Sequence, residues 1–151
     1  MRGELLPDDD HVVRYVRPGL IEGEEVTGDA FLRKERENAL SINWLDYFRN
    51  QPKEQQLREV RRLFRLQVSP NGRFAELTVG TTRQHLADEL EALKFVEDPL
   101  TADPANGDDE DPSHALIEGL PDPNQTPELA EMIGDMIAEC IVGSLHKVAE
   151  E

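Results

Sequence analysis

The sequence predicts an α+β protein: one domain with a mixed or mostly antiparallel sheet of about five short strands, two to three packing helices and a long C-terminal helix. Three observations carry this. Short β-branched or aromatic runs recur between Gly- and Pro-containing turns. Residues 54–66 place apolar side chains at a 3.6-residue spacing. Residues 127–148 hold a sustained apolar stripe behind a well-marked helix start. At 151 residues the chain is long enough for one continuous core without disulfides or a structural metal.

In chain order, residues 1–10 read as a flexible acidic leader and residues 11–149 as the single domain. His11 to Arg17 is β-branched and aromatic and ends at Pro18-Gly19, which predicts a strand. Leu20 to Gly28 carries two glycines and three acids and reads as a turn-rich connection. Ala30 to Leu32 and Leu40 to Trp44 are short strand candidates around the charged loop 33–38, and a short helix begins near Trp44. Glu54 to Leu66 is the clearest early helix, with Leu57, Val60, Leu63 and Phe64 on one side and Arg58, Arg61, Arg62 and Arg65 on another. Ser69-Pro70-Asn71-Gly72 is a turn, Arg73 to Val79 alternates as a strand, and Gly80 opens a helix to about Leu93. Lys94 to Glu97 is a further short strand.

Residues 98–112 contain three prolines, one glycine and six acids. Such a composition buries too little apolar area to offset its ordering entropy, so a mobile acidic loop is expected. Ser113 to Leu120 is again strand-like. Thr126 then offers a helix cap, Pro127 suits the first helical position, and Leu129, Met132, Ile133, Met136, Ile137, Cys140, Ile141 and Val148 form the stripe.

Charge is distributed unevenly. The net charge is −16, and after Lys94 only Lys147 is basic, against fifteen acids from Glu97 onward. A chain end of that sign repels phosphate backbones and attracts cationic surfaces, so direct nucleic-acid binding is disfavoured. No apolar run approaches the roughly 18 residues of a membrane span. The acidic N-terminus lacks the apolar stretch of a secretory signal, and a lone cysteine, Cys140, suits a reducing compartment. The expected location is cytoplasmic, in a bacterial-type cytosol.

Candidate chemistry is sparse. Asp8, Asp9, Asp10 and His11 are metal-compatible ligand types, but neighbours on a tail do not converge on one ion, so no metal site and no cofactor are expected. Cys140 lies on the apolar stripe, where a thiol is a poor nucleophile. The four arginines of residues 54–66 could grip an acidic surface, and the nearest supply of acids is the chain's own Asp108, Asp109, Glu110 and Asp111. In the C-terminal stripe, Met132, Ile133, Met136 and Ile137 either cover the sheet or face a partner, including a second copy in a homodimer.

One arrangement is enzymatic in type. Arg14, Ser41 and either Glu97 or Glu118 come from three different strands. In order and residue type this resembles the layout with which one group of ADP-ribosyltransferases holds a dinucleotide. The Ser-Thr-Ser tripeptide is absent, and no Glu-x-Glu or Gln-x-Glu marks the last strand. Taken together, the residues favour a non-catalytic acidic protein that binds a basic protein partner, of the antitoxin, immunity-protein or accessory-subunit kind. An ADP-ribosyltransferase-like or other nucleotide-handling enzyme is the alternative.

Overall fold

A computed structural model describes residues 2–34 and 37–148. Met1 of the expected leader, two residues of the charged loop 33–38 and the expected domain end at residue 149 lie outside the described residues. Eight strands are present among them: β1 (His11–Val16), β2 (Ile21–Glu22), β3 (Glu25–Val26), β4 (Ala39–Trp44), β5 (Arg73–Thr78), β6 (Lys94–Glu97), β7 (His114–Glu118) and β8 (His146–Lys147). Three α-helices accompany them: α1 (Lys53–Leu63), α2 (Val79–Leu86) and α3 (Pro127–Ala138). Six strands form one antiparallel sheet in the order β6-β7-β4-β1-β5-β8, while β2 and β3 form a separate hairpin. The α+β class is as the sequence predicts, with one more strand in the main sheet than expected.

Strand period decides which side chains meet which helices. Val12, Val16, Leu40, Ile42, Ala75, Leu77, Phe95, Ala115 and Ile117 share one core with Leu86 of α2 and Ile133 and Ile137 of α3. Val13 and Phe74 point the other way, into a smaller core with Leu45, Leu57 and Val60. The sheet is therefore sandwiched, α2 and α3 on one face and α1 on the other.

Helix α1 forms because its buried positions, Leu57, Val60 and Leu63, recur on one side, each stabilising by about 1.5–3 kcal/mol relative to exposure. Arg61 and Arg62 in its last turn complement the helix dipole. The helix stops at Leu63, three residues before the expected end. There Phe64 turns extended and its ring packs 5.6 Å from Tyr15 and 6.2 Å from Phe74. A cluster of three rings outweighs one more turn of helix.

The C-terminal helix is shorter than the stripe suggested. It ends at Ala138, and Gly143, with a φ of 59°, reverses the chain so that Val142 donates its N–H to the Glu76 carbonyl at 2.8 Å. Residues 146–147 then pair with β5 as β8. Cys140 and Ile141 still pack against the main core after the helix has ended, which is why periodicity alone overshot. Thr126 does not cap α3: its hydroxyl donates to the Asp122 carbonyl at 3.2 Å. Pro127 occupies the first turn as predicted.

Two segments expected to be loose are held by hydrogen bonds. Residues 3–6 run along β6, with Gly3 N–H to Glu97 O at 2.8 Å, Glu97 N–H to Glu4 O at 2.8 Å and Leu6 N–H to Phe95 O at 2.9 Å. Leu6 is buried in the main core. Residues 98–112 fold back on themselves, Leu100 pairing with Asp111 and Asp103 with Asp108. Asp111 is buried, its carboxylate accepting from Asn43 Nδ2 at 3.1 Å and from the Ser113 hydroxyl at 2.7 Å. Composition missed these anchors because it counts acids without seeing the buried partners that satisfy one of them. Ala30 and Phe31, expected in a strand, belong to a 3-10 turn (Gly28–Phe31) against α3, and the helix expected at Trp44 is a 3-10 turn (Leu45–Phe48).

Candidate functional site

The four residues of the enzymatic alternative do not converge. Arg14 leaves β1 on the α3 face, opposite Ala75. Ser41 pairs with Leu116, which pairs with Val96, and Glu118 pairs with Ala39, all on the α1 face. Glu97 lies on the far edge strand, separated from β1 by β7 and β4, and its backbone binds residues 3–4. Arg14 meets Ser41 only through the backbone: its Nη1 donates to Ser41 O at 2.8 Å and its Nε to Ala30 O at 3.1 Å. The β1–β4 ladder has only two paired positions, Val12 with Trp44 and Val13 with Asn43. The arginine thus satisfies a carbonyl that the ladder leaves open. Burial lowers its pKa to about 10, against the raising influence of Glu37. Its role here is to join strand and turn.

Arg62 of α1 and Arg65, two residues beyond its end, do meet the acidic loop. Arg62 Nη1 stands 3.6 Å from Asp109 Oδ2, and Arg65 donates to the carbonyls of Thr101 and, at 3.0 Å, Asp109. Arg62 also binds Glu59 at 2.8 Å, and this hydrogen bond raises the pKa of its guanidinium. Arg58 binds Glu54 at 3.2 Å, and Arg61 is half-buried beside them. Between helix and loop lies a cleft of about 680 Å³ lined by Tyr47, Phe48, Arg62, Leu63, Asp109 and Glu110. Arg62 and Asp109 of its lining are already paired. Arg65→Ala is expected to cost about 1 kcal/mol of global stability, since it removes hydrogen bonds to the loop's main-chain carbonyls. Amide hydrogen exchange in residues 101–110 should nevertheless accelerate about tenfold, because the loop loses its clasp.

The opposite distribution holds on the α3 face of the sheet. The outer side of α3 and the β2–β3 hairpin border a groove of about 590 Å³ whose carboxylates are Glu22, Glu24, Glu25, Asp135 and Glu139. Glu139 is 3.5 Å from His85 Nε2, and among the described residues none of the other four has an ion-pair partner. The sequence showed the α3 acids, but only the fold brings the three glutamates around Gly23 alongside them.

The interaction residues assigned to the C-terminal stripe divide. Ile133 and Ile137 are interior, Met136 packs against the core, and only Met132 is exposed, at 40%. Most of the stripe therefore covers the sheet. The small residue Gly134 serves an internal contact: a Cβ there would lie 2.5 Å from the Gly28 carbonyl oxygen.

Other polar groups have structural roles. Glu76, 4% exposed at its side chain, accepts from Lys53 Nζ at 2.7 Å and lies 2.8 Å from His146 Nε2. Burial pushes its carboxyl up, but the hydrogen bonds and charges of His146 and Lys53 outweigh that and bring it to about 2. Asp10 accepts from Trp44 Nε1 and Arg49, His11 pairs with Asp46, and Asp8 pairs with Arg83. The Asp-Asp-Asp-His run is thus dispersed over several partners. Among the described residues no group of three or more His, Cys, Asp or Glu is placed to hold a metal ion. Burial raises the Cys140 thiol's pKa. No described helix is long and apolar enough to cross a membrane.

No family model matches the chain, and no curated protein or solved structure shows significant similarity to it. What the fold itself defines is an α+β domain with matched charge over α1 and unmatched acid over α3.

Proposed function

We propose that the protein acts by binding, without catalysis, a protein partner that presents a basic surface. The docking face is the acidic groove between α3 and the β2–β3 hairpin. One observation carries the reading: the basic helix is neutralised within the chain, whereas Glu22, Glu24, Glu25 and Asp135 of the groove have no ion-pair partner among the described residues. Unmatched charge of one sign steers encounter with an oppositely charged surface and fixes orientation on contact. An immunity-like or antitoxin-like protein, or an accessory subunit, would work this way. A cytoplasmic setting is part of the same proposal.

A fluorescent lysine- and arginine-rich peptide provides the test. Glu22→Gln, Glu25→Gln, Asp135→Asn and Glu139→Gln combined should weaken its binding by about tenfold at roughly 50 mM salt, and about 500 mM salt should abolish the difference. Neutralising Asp109, which is paired with Arg62, should change the affinity less than twofold, as matched charges do. Equal binding by the groove variant, or loss confined to the loop variant, would overturn the assignment.

A further inference from the structure

Arg73 opens β5 and Lys147 closes β8, and the two are direct partners in the antiparallel pair. Their side chains therefore leave the sheet on the same side. Like charges placed directly opposite each other destabilise a strand pair. The chain has 32 acidic residues, yet among the described residues neither cation has an ion-pair partner. Arg73 is half-buried and tethered, its Nη1 donating to Gly72 O at 2.7 Å, which fixes the guanidinium while leaving its other N–H groups to serve elsewhere.

Both cations line a pocket of about 480 Å³ beneath the β2–β3 hairpin. Asn71 and Ser144 add polar groups to its wall, Ile21 and Leu145 add apolar area, and Glu24 is its one carboxylate. A volume of that size suits a small molecule. We infer that this pocket binds a compact molecule through one oxyanion group, carboxylate or phosphate, held between Arg73 and Lys147.

The neighbourhood sets the size of the ligand. Glu24, Gly143 and Leu145 are shared with the acidic groove. A polyanion long enough to leave the pocket in that direction meets Glu22, Glu25, Asp135 and Glu139, whereas a single anionic group does not. Charge-assisted hydrogen bonds from a guanidinium and an ammonium relieve the repulsion between the two cations. Occupancy consequently strengthens the pairing of β8, a strand of only two residues. The pocket adjoins the acidic docking face, but the inference rests on Arg73 and Lys147, which do not line that face.

The test is a titration of the full chain with inorganic phosphate and, separately, with succinate, at an ionic strength held constant with sodium chloride. Amide and arginine Nε–H resonances are the readout. Saturable one-site shifts at the Arg73 side chain and the amides of residues 143–147 are expected with at least one of the two anions. Which anion saturates identifies the carboxylate or the phosphate as the recognised group. Arg73→Gln and Lys147→Gln should each weaken the affinity by about fivefold or more, and Glu24→Gln should strengthen it. Lys147 is exposed, so its variant keeps the native spectrum and decides the matter if Arg73→Gln fails to fold. Shifts that fail to saturate with either anion, or unchanged affinity in a natively folded Lys147→Gln protein, would overturn the inference.

Discussion

Acidification from pH 5 to pH 2 is expected to remove on the order of 3 kcal/mol of folding stability through Glu76 alone. Its folded pKa lies near 2 and its ordinary value at 4.5. A depressed carboxylate contributes its full stabilisation above the ordinary value and loses it as pH falls towards the folded one. The carboxylate is 4% exposed; Lys53, at 45%, is partly screened, and the hydrogen bond with His146 is the largest of the lowering influences. Urea unfolding at about pH 5, 3.5 and 2 measures the loss. Glu76→Gln should be less stable at pH 5, and its stability should fall less steeply across that window. Parallel pH profiles for the two proteins would show that the Lys53–Glu76–His146 network does not hold this charge.

The second large effect is expected at Gly134. Its Cα faces the backbone of Gly28, and a Cβ would sit 2.5 Å from that carbonyl oxygen and 3.1 Å from its carbon. Both are main-chain atoms of the 3-10 turn, and that turn also carries Phe31, which is buried in the main core. Gly134→Val must push helix and turn apart, at a cost of about 3 kcal/mol. The small gain in helix propensity over glycine does not offset this. Met132→Glu, two residues earlier on the exposed side, should change stability by no more than about 0.5 kcal/mol. A denaturant midpoint for Gly134→Val close to that of the unchanged protein would mean that α3 sits further from the turn than described.

These two sites also mark how far the sequence could be read. The periodicity at residues 54–66, the stripe that begins at residue 127 and the strand runs at 11–17, 73–79 and 94–97 reflect local rules, and α1, α3, β1, β5 and β6 form there, with α1 and α3 ending short of the predicted stretch. The pairing of arginines with the 98–112 loop was also legible, since both groups are conspicuous and of opposite sign. Other features depend on contacts distant in sequence. Nothing near Glu76 announces that Lys53 and His146, one on a helix and one on an edge strand, will enclose it. The acidic groove likewise needs a hairpin at residues 21–26 to come beside a helix more than a hundred residues later. The close approach of Gly134 is equally unannounced, because its neighbour, Gly28, is remote in sequence.

The ribbon of residues 3–6 alongside β6 bears on how the protein must be handled. Digestion or a truncation that removes it strips the backbone groups of Phe95 and Glu97 of their partners. An open row of amide donors and acceptors is a template on which other polypeptides add, in the manner of amyloid growth. Trimming six residues from the amino end should therefore turn a dispersed preparation into one that precipitates on concentration.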